Sequence, residues 1–131
     1  MGEEGFAVSV SVETSECNGI PILAFSGDLD GIFVNEFERA VIEAAQEASD
    51  CVIVDLGGVT YIDSQSFGRL LKAHVVLEST GGDVAIVAGN SEVARIIRTF
   101  GADYLLAVFE DVEPAISYLQ PLVQDHQGQP S

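Results

Sequence analysis

The segment that decides the fold is VIVDLGGVTYIDSQSFGRLL, residues 52–71. Its first part, VIVDL, is a continuous apolar run of the kind typical of a strand covered on both faces. Gly57 and Gly58 then predict a turn, and the residues up to Asp63 predict a loop. From Ser64 onward the apolar residues recur at helical spacing, which predicts an amphipathic helix. The residues expected to be buried on this helix are Phe67, Leu70, Leu71, Val75 and Leu77.

The pair Asp63-Ser64 stands at the predicted start of that helix. Both residue types are favoured N-caps, because a side-chain oxygen can accept a hydrogen bond from an N–H group of the first turn. Capping alone is therefore a sufficient explanation of the pair. A hydroxyl at this place also meets unpaired N–H groups and the positive end of the helix dipole, which favour a phosphate group. We therefore predict that Ser64 is a phosphorylation site on a small binding protein.

Length and composition indicate one globular domain, since the chain has 131 residues of which 47% are hydrophobic. Five basic residues stand against 21 acidic ones, for a formal net charge of −16. Nucleic acid and anionic membranes are poor partners for such a chain. The acidic N-terminus lacks the basic region of a signal peptide, and no apolar run is long enough to span a bilayer. The sequence therefore predicts a cytoplasmic protein.

The order of predicted elements gives an α/β fold, a single domain with a mixed, mostly parallel sheet of about five strands and about four helices. The strands are predicted at 6–14, 20–26, 51–56, 83–88 and 105–109. The helices are predicted to begin near Phe33, Ser64, Ser91 and Asp111. We expect the domain to cover 6–119, with a flexible N-terminus at 1–5 and a flexible tail at 120–131.

Motifs for catalysis, metal or cofactor binding are missing from the sequence. There is no glycine-rich phosphate loop and no cluster with metal-ligand spacing. His74 is expected at the boundary of the core, and His126 in the tail. Cys17 and Cys51 form no motif and receive no function. We therefore predict no catalytic residue, no metal site and no cofactor.

One alternative is a small serine hydrolase, because residues 64–68 read S-x-S-x-G, which is related to the nucleophile elbow. Its acid and base would have to be residues such as Asp103 and His126. The first glycine of the elbow is absent, and the predicted loop at 57–63 separates the strand from the serine. The sharp turn that an elbow needs is therefore not predicted, and the hydrolase is the weaker hypothesis.

The motifs together resemble the STAS domain, and most of all the bacterial anti-sigma factor antagonists. The resemblance is carried by GDLD (27–30), VDL (54–56), VTYIDS (59–64), FG (67–68), LL (70–71), GG (81–82), VARII (93–97), GAD (101–103) and VFEDVEPA (108–115). It covers about residues 6–119, which is the whole predicted domain. The family usually reads Asp-Ser-Ser/Thr-Gly-Leu-Gly where this chain has Gln65 and Ser66 at the third and fourth positions.

The resemblance implies a binding protein that captures an anti-sigma factor, which is also a serine kinase, and so frees a sigma factor. The kinase would phosphorylate Ser64, and a phosphoserine phosphatase would reverse this. Asp63 matches the aspartate before the family's serine, and Asp30 matches the acidic residue near it. The remaining docking residues are expected on the exposed side of the second helix: Gln65, Arg69 and Lys72. Ser66, inside the first turn of that helix, is expected as a supporting residue and is the weaker, second candidate hydroxyl.

The resemblance leaves one alternative function open, a STAS domain that is never phosphorylated. Such a domain could be a scaffold in an assembly or a small subunit of a transport complex. The sequence also leaves open whether the chain is a monomer or a homodimer.

Overall fold

The computed structural model describes residues 3–7, 10–89, 91–100 and 105–128 of the chain. The strands are β1 (Glu3–Ala7), β2 (Val10–Cys17), β3 (Ile20–Leu29), β4 (Cys51–Ile62), β5 (Asp83–Val87) and β6 (Ala107–Phe109). The helices are α1 (Val34–Gln46), α2 (Ser64–Glu78), α3 (Ser91–Thr99) and α4 (Val112–Gly128), and a 3₁₀ turn at Gly31–Phe33 precedes α1.

The six strands form one sheet in the order β1-β2-β3-β4-β5-β6. The first three strands pair antiparallel, and β3 to β6 pair parallel. Asn18 and Gly19 both have positive φ and join β2 to β3, as their hairpin signal predicts. The predicted α/β class with a mixed, mostly parallel sheet is confirmed.

The sheet carries a hydrophobic core on each face. Val52 and Val54 of β4 belong to the larger core, which also contains buried residues of α1, α2 and α3. Cys51 and Ile53 alternate with them and face the second core, which contains buried residues of α4. Burial on both faces explains the uninterrupted apolar run that opens β4.

The predicted first strand at 6–14 is wrong, because the segment forms two antiparallel strands in which Ala7 pairs with Val10. Apolar alternation continues through both strands, so the pattern gave no sign of the break.

Secondary structure also extends beyond the predicted domain boundaries. β1 begins at Glu3, and α4 continues past residue 119 because Val123 adds a buried position to the stripe of Ala115 and Leu119.

The predicted turn at Gly57-Gly58 is also wrong, since β4 continues through both glycines to Ile62. Gly58 pairs with Ser26 of β3, next to an irregularity in the register. A Cβ on Gly58 would lie 2.6 Å from the Ser26 Oγ and 3.1 Å from the Phe25 carbonyl oxygen. Gly58 therefore permits a close approach of two strands, which is the other common role of glycine inside a strand.

Helix α2 begins at Ser64 as predicted, and Phe67, Leu70 and Leu77 are buried. The predicted burial of Val75 is wrong. This residue has 64% of its surface exposed, because Ala73 takes the inward place on that turn. The exposed side of α2 therefore includes one apolar residue that the core does not use.

Candidate functional site

The site lies at the carboxyl ends of two neighbouring parallel strands. Leu29 is the last residue of β3 and pairs with Ile62, the last residue of β4. Asp63 alone separates β4 from α2, so the predicted seven-residue loop is replaced by a sharp change from strand to helix. Ser64 therefore lies at the edge where open α/β sheets tend to bind their ligands.

Asp63 holds this edge together through both of its carboxylate oxygens. Its Oδ1 accepts a hydrogen bond from the Ser66 N–H at 2.9 Å, which caps α2. Its Oδ2 accepts a hydrogen bond from the Gly31 N–H at 2.7 Å. The Asp63 N–H itself donates to the Leu29 carbonyl oxygen at 3.1 Å. One side chain therefore fixes the start of α2 against the segment that follows β3.

Ser64 is the first residue of α2, and its side chain is exposed to solvent. Since Asp63 is the N-cap, Ser64 is not needed as the capping side chain. Its N–H and that of Gln65 are the first two of the helix, which have no acceptor within an α-helix. The hydroxyl is therefore accessible to a modifying enzyme, at a helix end that favours added negative charge.

Gln65 contacts the turn that follows β3. A Cβ on Gly31 would lie 2.8 Å from the Gln65 side-chain Cδ, so the two residues pack closely. Asp30 accepts a hydrogen bond from the Ile32 N–H at 3.0 Å and caps the 3₁₀ turn. The structure thus brings Asp30, Gln65 and the Asp63-Ser64 pair to one place, as the sequence predicts.

Ser66, the second candidate hydroxyl, lies in the first turn of α2 and is buried. Only 1% of its surface is exposed, so it is not part of the outer side of α2. Its Oγ is buried and has no hydrogen-bond partner among the described residues. Burial removes Ser66 as a second candidate hydroxyl for phosphorylation. It also argues against the hydrolase, because the nucleophile of the S-x-S-x-G sequence would be sealed from substrate.

Arg69 and Lys72 lie on α2 as predicted, but both are engaged by Glu38 of α1. The Arg69 guanidinium forms an ion pair with Glu38 and donates a hydrogen bond to the Asn35 Oδ1 at 3.1 Å. The Lys72 Nζ lies 3.2 Å from the Glu38 Oε2. Burial alone would raise the pKa of Glu38, but the hydrogen bonds from Arg69 and Lys72 outweigh it, and the net result is a lowered pKa.

Glu38 and Gly31 are site residues that sequence reasoning missed. Glu38 looked like any acidic residue on the exposed side of a helix, because its partners stand on another helix more than thirty positions away. Gly31 looked like part of a breaker segment. Its place after Asp30, two residues before the helical pattern begins, is the one signal that could have marked it as a turn residue.

A second cluster of polar side chains lies at the other end of the sheet. Asp83, at the start of β5, is buried and accepts a hydrogen bond from the Tyr118 hydroxyl at 2.6 Å. The His74 Nδ1 lies 2.7 Å from the Asp83 Oδ1. Burial and the Asp83 carboxylate raise the pKa of Tyr118. This network joins α2 to α4 across β5, and His74 is the boundary residue that the sequence predicts.

Two other kinds of functional element are absent from the described part of the chain. No set of three or more His, Cys, Asp or Glu side chains there is arranged to hold a metal ion. No helix there is long and apolar enough to cross a membrane. Asp103 and the side chain of His126, named for the hydrolase, lie outside the described residues.

Comparison with known proteins gives a family and a fold. The STAS domain family model matches residues 11–115. The anti-sigma-F factor antagonist RsfB of Mycobacterium tuberculosis is 26% identical over 111 residues, which cover 83% of this chain and 88% of that protein. A crystal structure of an anti-sigma factor antagonist from Mycobacterium paratuberculosis superposes with a TM-score of 0.75 at 18% identity, covering 86% of this chain and 95% of that one.

The comparisons also include a phosphorylated protein. The Bacillus cell fate determinant SpoIIAA, solved in its phosphorylated form, has a TM-score of 0.59 at 17% identity. The match covers 82% of this chain and 97% of SpoIIAA. At this level of identity the likeness to solved structures concerns the fold.

Proposed function

Since the chain belongs to the STAS domain family, we propose that it is an anti-sigma factor antagonist switched by phosphorylation of Ser64. Unmodified, it binds and sequesters an anti-sigma factor that is also a serine kinase, which releases a sigma factor. Phosphorylation of Ser64 by the kinase dissociates the complex. A phosphoserine phosphatase removes the phosphate and restores binding. The protein acts in the cytoplasm, as a binding protein and not as an enzyme.

The observation that carries this proposal is the exposed Ser64 at the start of α2, next to an aspartate that already caps the helix. The relatives support it, since RsfB is by name an anti-sigma-F factor antagonist. SpoIIAA, which shares the fold, exists in a phosphorylated form. With Asp63 as the cap, a phosphate on Ser64 need not disturb the hydrogen bonds that fix the helix start.

The switch is electrostatic. A phosphate adds about −1.5 to −2 charges at pH 7. Asp63 and Asp30 already bring negative charge to the same place, so like charges accumulate. Burying the phosphate in an interface without matching cations costs several kcal/mol. A loss of about 3–4 kcal/mol would weaken binding roughly 200- to 1,000-fold.

The docking face consists of Ser64, Gln65, Arg69 and Lys72 on α2, with Asp30 and Asp63 beside them. Ion pairs with Glu38 already restrict the side chains of Arg69 and Lys72. These side chains therefore lose less conformational entropy when a partner binds. The net charge of −16 makes nucleic acid an unfavourable direct partner. A protein partner accounts for this arrangement best.

The test is phosphate incorporation measured by intact mass. The protein is incubated with ATP and, one at a time, each histidine-kinase-like ATPase of the source organism. We expect one phosphate on the unmodified protein and none on the Ser64→Ala variant. Unchanged incorporation into Ser64→Ala would show that the site assignment is wrong. Failure of every kinase would favour the alternative, a STAS scaffold or transport-complex subunit that is never phosphorylated.

The phosphomimetic variant tests the consequence for binding. We expect Ser64→Asp to weaken binding of the kinase while the free energy of unfolding changes by less than about 0.5 kcal/mol, because the residue is exposed. A Ser64→Asp variant that binds as tightly as the unmodified protein would contradict the electrostatic switch. A Ser66→Ala variant tested for esterase activity checks the hydrolase alternative.

A further inference from the structure

The imidazole of His74 lies between two carboxylates near the start of β5. Its Nδ1 lies 2.7 Å from the Asp83 Oδ1, and its Nε2 lies 3.9 Å from the Glu78 Oε2. Asp83 is buried, whereas the side chain of Glu78 has 70% of its surface exposed. The imidazole therefore stands between a carboxylate fixed in the protein and one in solvent, with one ring nitrogen toward each.

The hydrogen bonds of Asp83 decide which ring nitrogen of His74 carries hydrogen. Asp83 accepts hydrogen bonds from the Val84 N–H at 2.7 Å and from the Tyr118 hydroxyl at 2.6 Å, as an ionised carboxylate does. Such a carboxylate can only accept, so the His74 Nδ1 is the donor in its contact with Asp83. In the neutral imidazole the lone pair is then on Nε2, the nitrogen near Glu78. Two acceptors thus face each other, an arrangement that a cation between them would stabilise.

The gap between the His74 Nε2 and the Glu78 Oε2 suits a metal ion better than a hydrogen bond. The heavy atoms of an N–H···O bond are about 2.9 Å apart. Zinc holds histidine nitrogen and carboxylate oxygen at about 2.0–2.2 Å, so two such ligands at a tetrahedral angle are roughly 3.4 Å apart. Glu78 follows His74 by four residues, on the same side of α2. Its exposed side chain can close the remaining gap of about 0.5 Å.

We propose that His74 and Glu78 bind a divalent transition-metal ion of the zinc type, and that Asp83 positions the imidazole for it. Imidazole nitrogen is a preferred ligand of zinc, copper and nickel, whereas magnesium and calcium prefer oxygen alone. A carboxylate on the other ring nitrogen is the usual partner of a metal-bound histidine. Water completes the coordination, since the described residues gather no third His, Cys, Asp or Glu ligand here.

The electrostatic surroundings of the site favour a cation. Burial raises the pKa of Tyr118, and the carboxylates of Asp83 and Glu78 raise it further, so negative charge from both acts at one place. Lys72, two residues before His74, is paired with Glu38 of α1. The formal net charge of the chain is −16, so the long-range field also attracts cations.

This site is separate from the candidate switch. His74 lies ten residues after Ser64 in α2, which is roughly 15 Å along the helix axis. Through Asp83 and Tyr118, His74 connects the second half of α2 to β5 and α4. A bound metal ion would add a second restraint to that half of α2. Metal binding does not require phosphorylation of Ser64, so failure of either proposal leaves the other standing.

The experiment is calorimetric titration of the full chain with Zn²⁺. We expect one zinc ion per chain, and affinity about tenfold lower or less in His74→Gln and Glu78→Gln. The chain has two histidines, so His126→Gln is the matched control and should bind like the parent. Glu78→Gln replaces an exposed side chain and should unfold at the parent's temperature, so its lower affinity would not reflect misfolding.

Thermal unfolding and a competing ion complete this test. Zn²⁺ should raise the melting temperature of the parent and leave that of Glu78→Gln almost unchanged, because only binding to the folded state stabilises it. Absence of zinc binding, or equal affinity of the parent and Glu78→Gln, would overturn the proposal. Mg²⁺ that competes as well as zinc would overturn the assignment to a transition metal.

The role of Asp83 is tested by ¹⁵N NMR of the parent. Zinc should shift the Nε2 resonance of His74 while Nδ1 keeps its hydrogen, a signature that a purely structural Asp83 would not require. Zinc on Nδ1 would overturn the positioning role. In Asp83→Asn, titrated below its melting temperature, zinc affinity should fall about 10- to 100-fold, and unchanged affinity would also overturn that role.

Discussion

Replacement of Asp63 by alanine is expected to destabilise the protein, because this one carboxylate makes two hydrogen bonds. Loss of the N-cap bond to the Ser66 N–H costs about 1 kcal/mol. The Gly31 N–H, part-buried and 2.7 Å from the Asp63 Oδ2, loses its acceptor, which costs about 1–2 kcal/mol. The free energy of unfolding should therefore fall by about 2–3 kcal/mol, and the melting temperature by about 6–12 °C.

The assay is urea unfolding followed by circular dichroism, with Asp63→Asn as the matched control. Asparagine is as good an N-cap as aspartate, so this variant keeps the bond to the Ser66 N–H and loses only the bond to the Gly31 N–H. It should lose about half as much stability as Asp63→Ala. If Asp63→Ala changes the free energy of unfolding by less than about 0.5 kcal/mol, the double role assigned to this carboxylate is refuted.

Three further predictions concern stability. Ser66→Ala should raise the free energy of unfolding by about 1 kcal/mol in urea unfolding, since it removes a buried hydroxyl without a partner; a loss would show that the hydroxyl is bonded. Gly58→Ala should lower the free energy of unfolding by about 1–3 kcal/mol, because the new Cβ would meet the neighbouring strand. Gly68→Ala should raise it by about 0.5–1 kcal/mol, because Gly68 is helical and faces open space. Equal effects of the two substitutions would contradict this reasoning. The Tyr118 phenol should ionise above the ordinary tyrosine range in a spectroscopic pH titration compared with Tyr118→Phe. Because its folded pKa is raised, its contribution to stability is complete below about pH 10 and declines as pH rises further; ionisation in the ordinary range would refute the bond to Asp83.

The parts of the fold that were predictable are those fixed by local pattern. The apolar run of β4, the start of α2 at Ser64 and the hairpin at Asn18-Gly19 all depend on residues close together in sequence. The site was predictable to the same extent, because an N-cap aspartate followed by an exposed serine is a local arrangement. Sheet order was not predicted, since it depends on pairings between distant strands.

The sequence-based predictions are wrong where a residue far away in the sequence determines the local structure. Gly57 and Gly58 have the composition of a turn, and the close approach of Ser26 explains why Gly58 lies inside a strand. Arg69 seemed free for a partner until α1 brought Glu38 against it. None of these neighbours lies close enough in sequence to leave a local signal.

The burial of Ser66 is a case in which the sequence pointed the wrong way. A serine in the first helical turn suggests a second exposed hydroxyl next to Ser64. The structure instead turns it inward, where its Oγ finds no partner among the residues described. The Ser66 side chain thus adds a polar atom, unpaired among the described residues, to a buried place.

The central claim is that Ser64 is the residue whose modification controls binding. The most direct measurement compares the affinity of one purified kinase for the unmodified protein, for the singly phosphorylated protein and for Ser64→Ala after treatment with ATP. We predict that phosphate weakens binding roughly 200- to 1,000-fold and that Ser64→Ala keeps full affinity through the treatment. Equal affinity of the phosphorylated and unmodified proteins, or loss of affinity by ATP-treated Ser64→Ala, would contradict the claim.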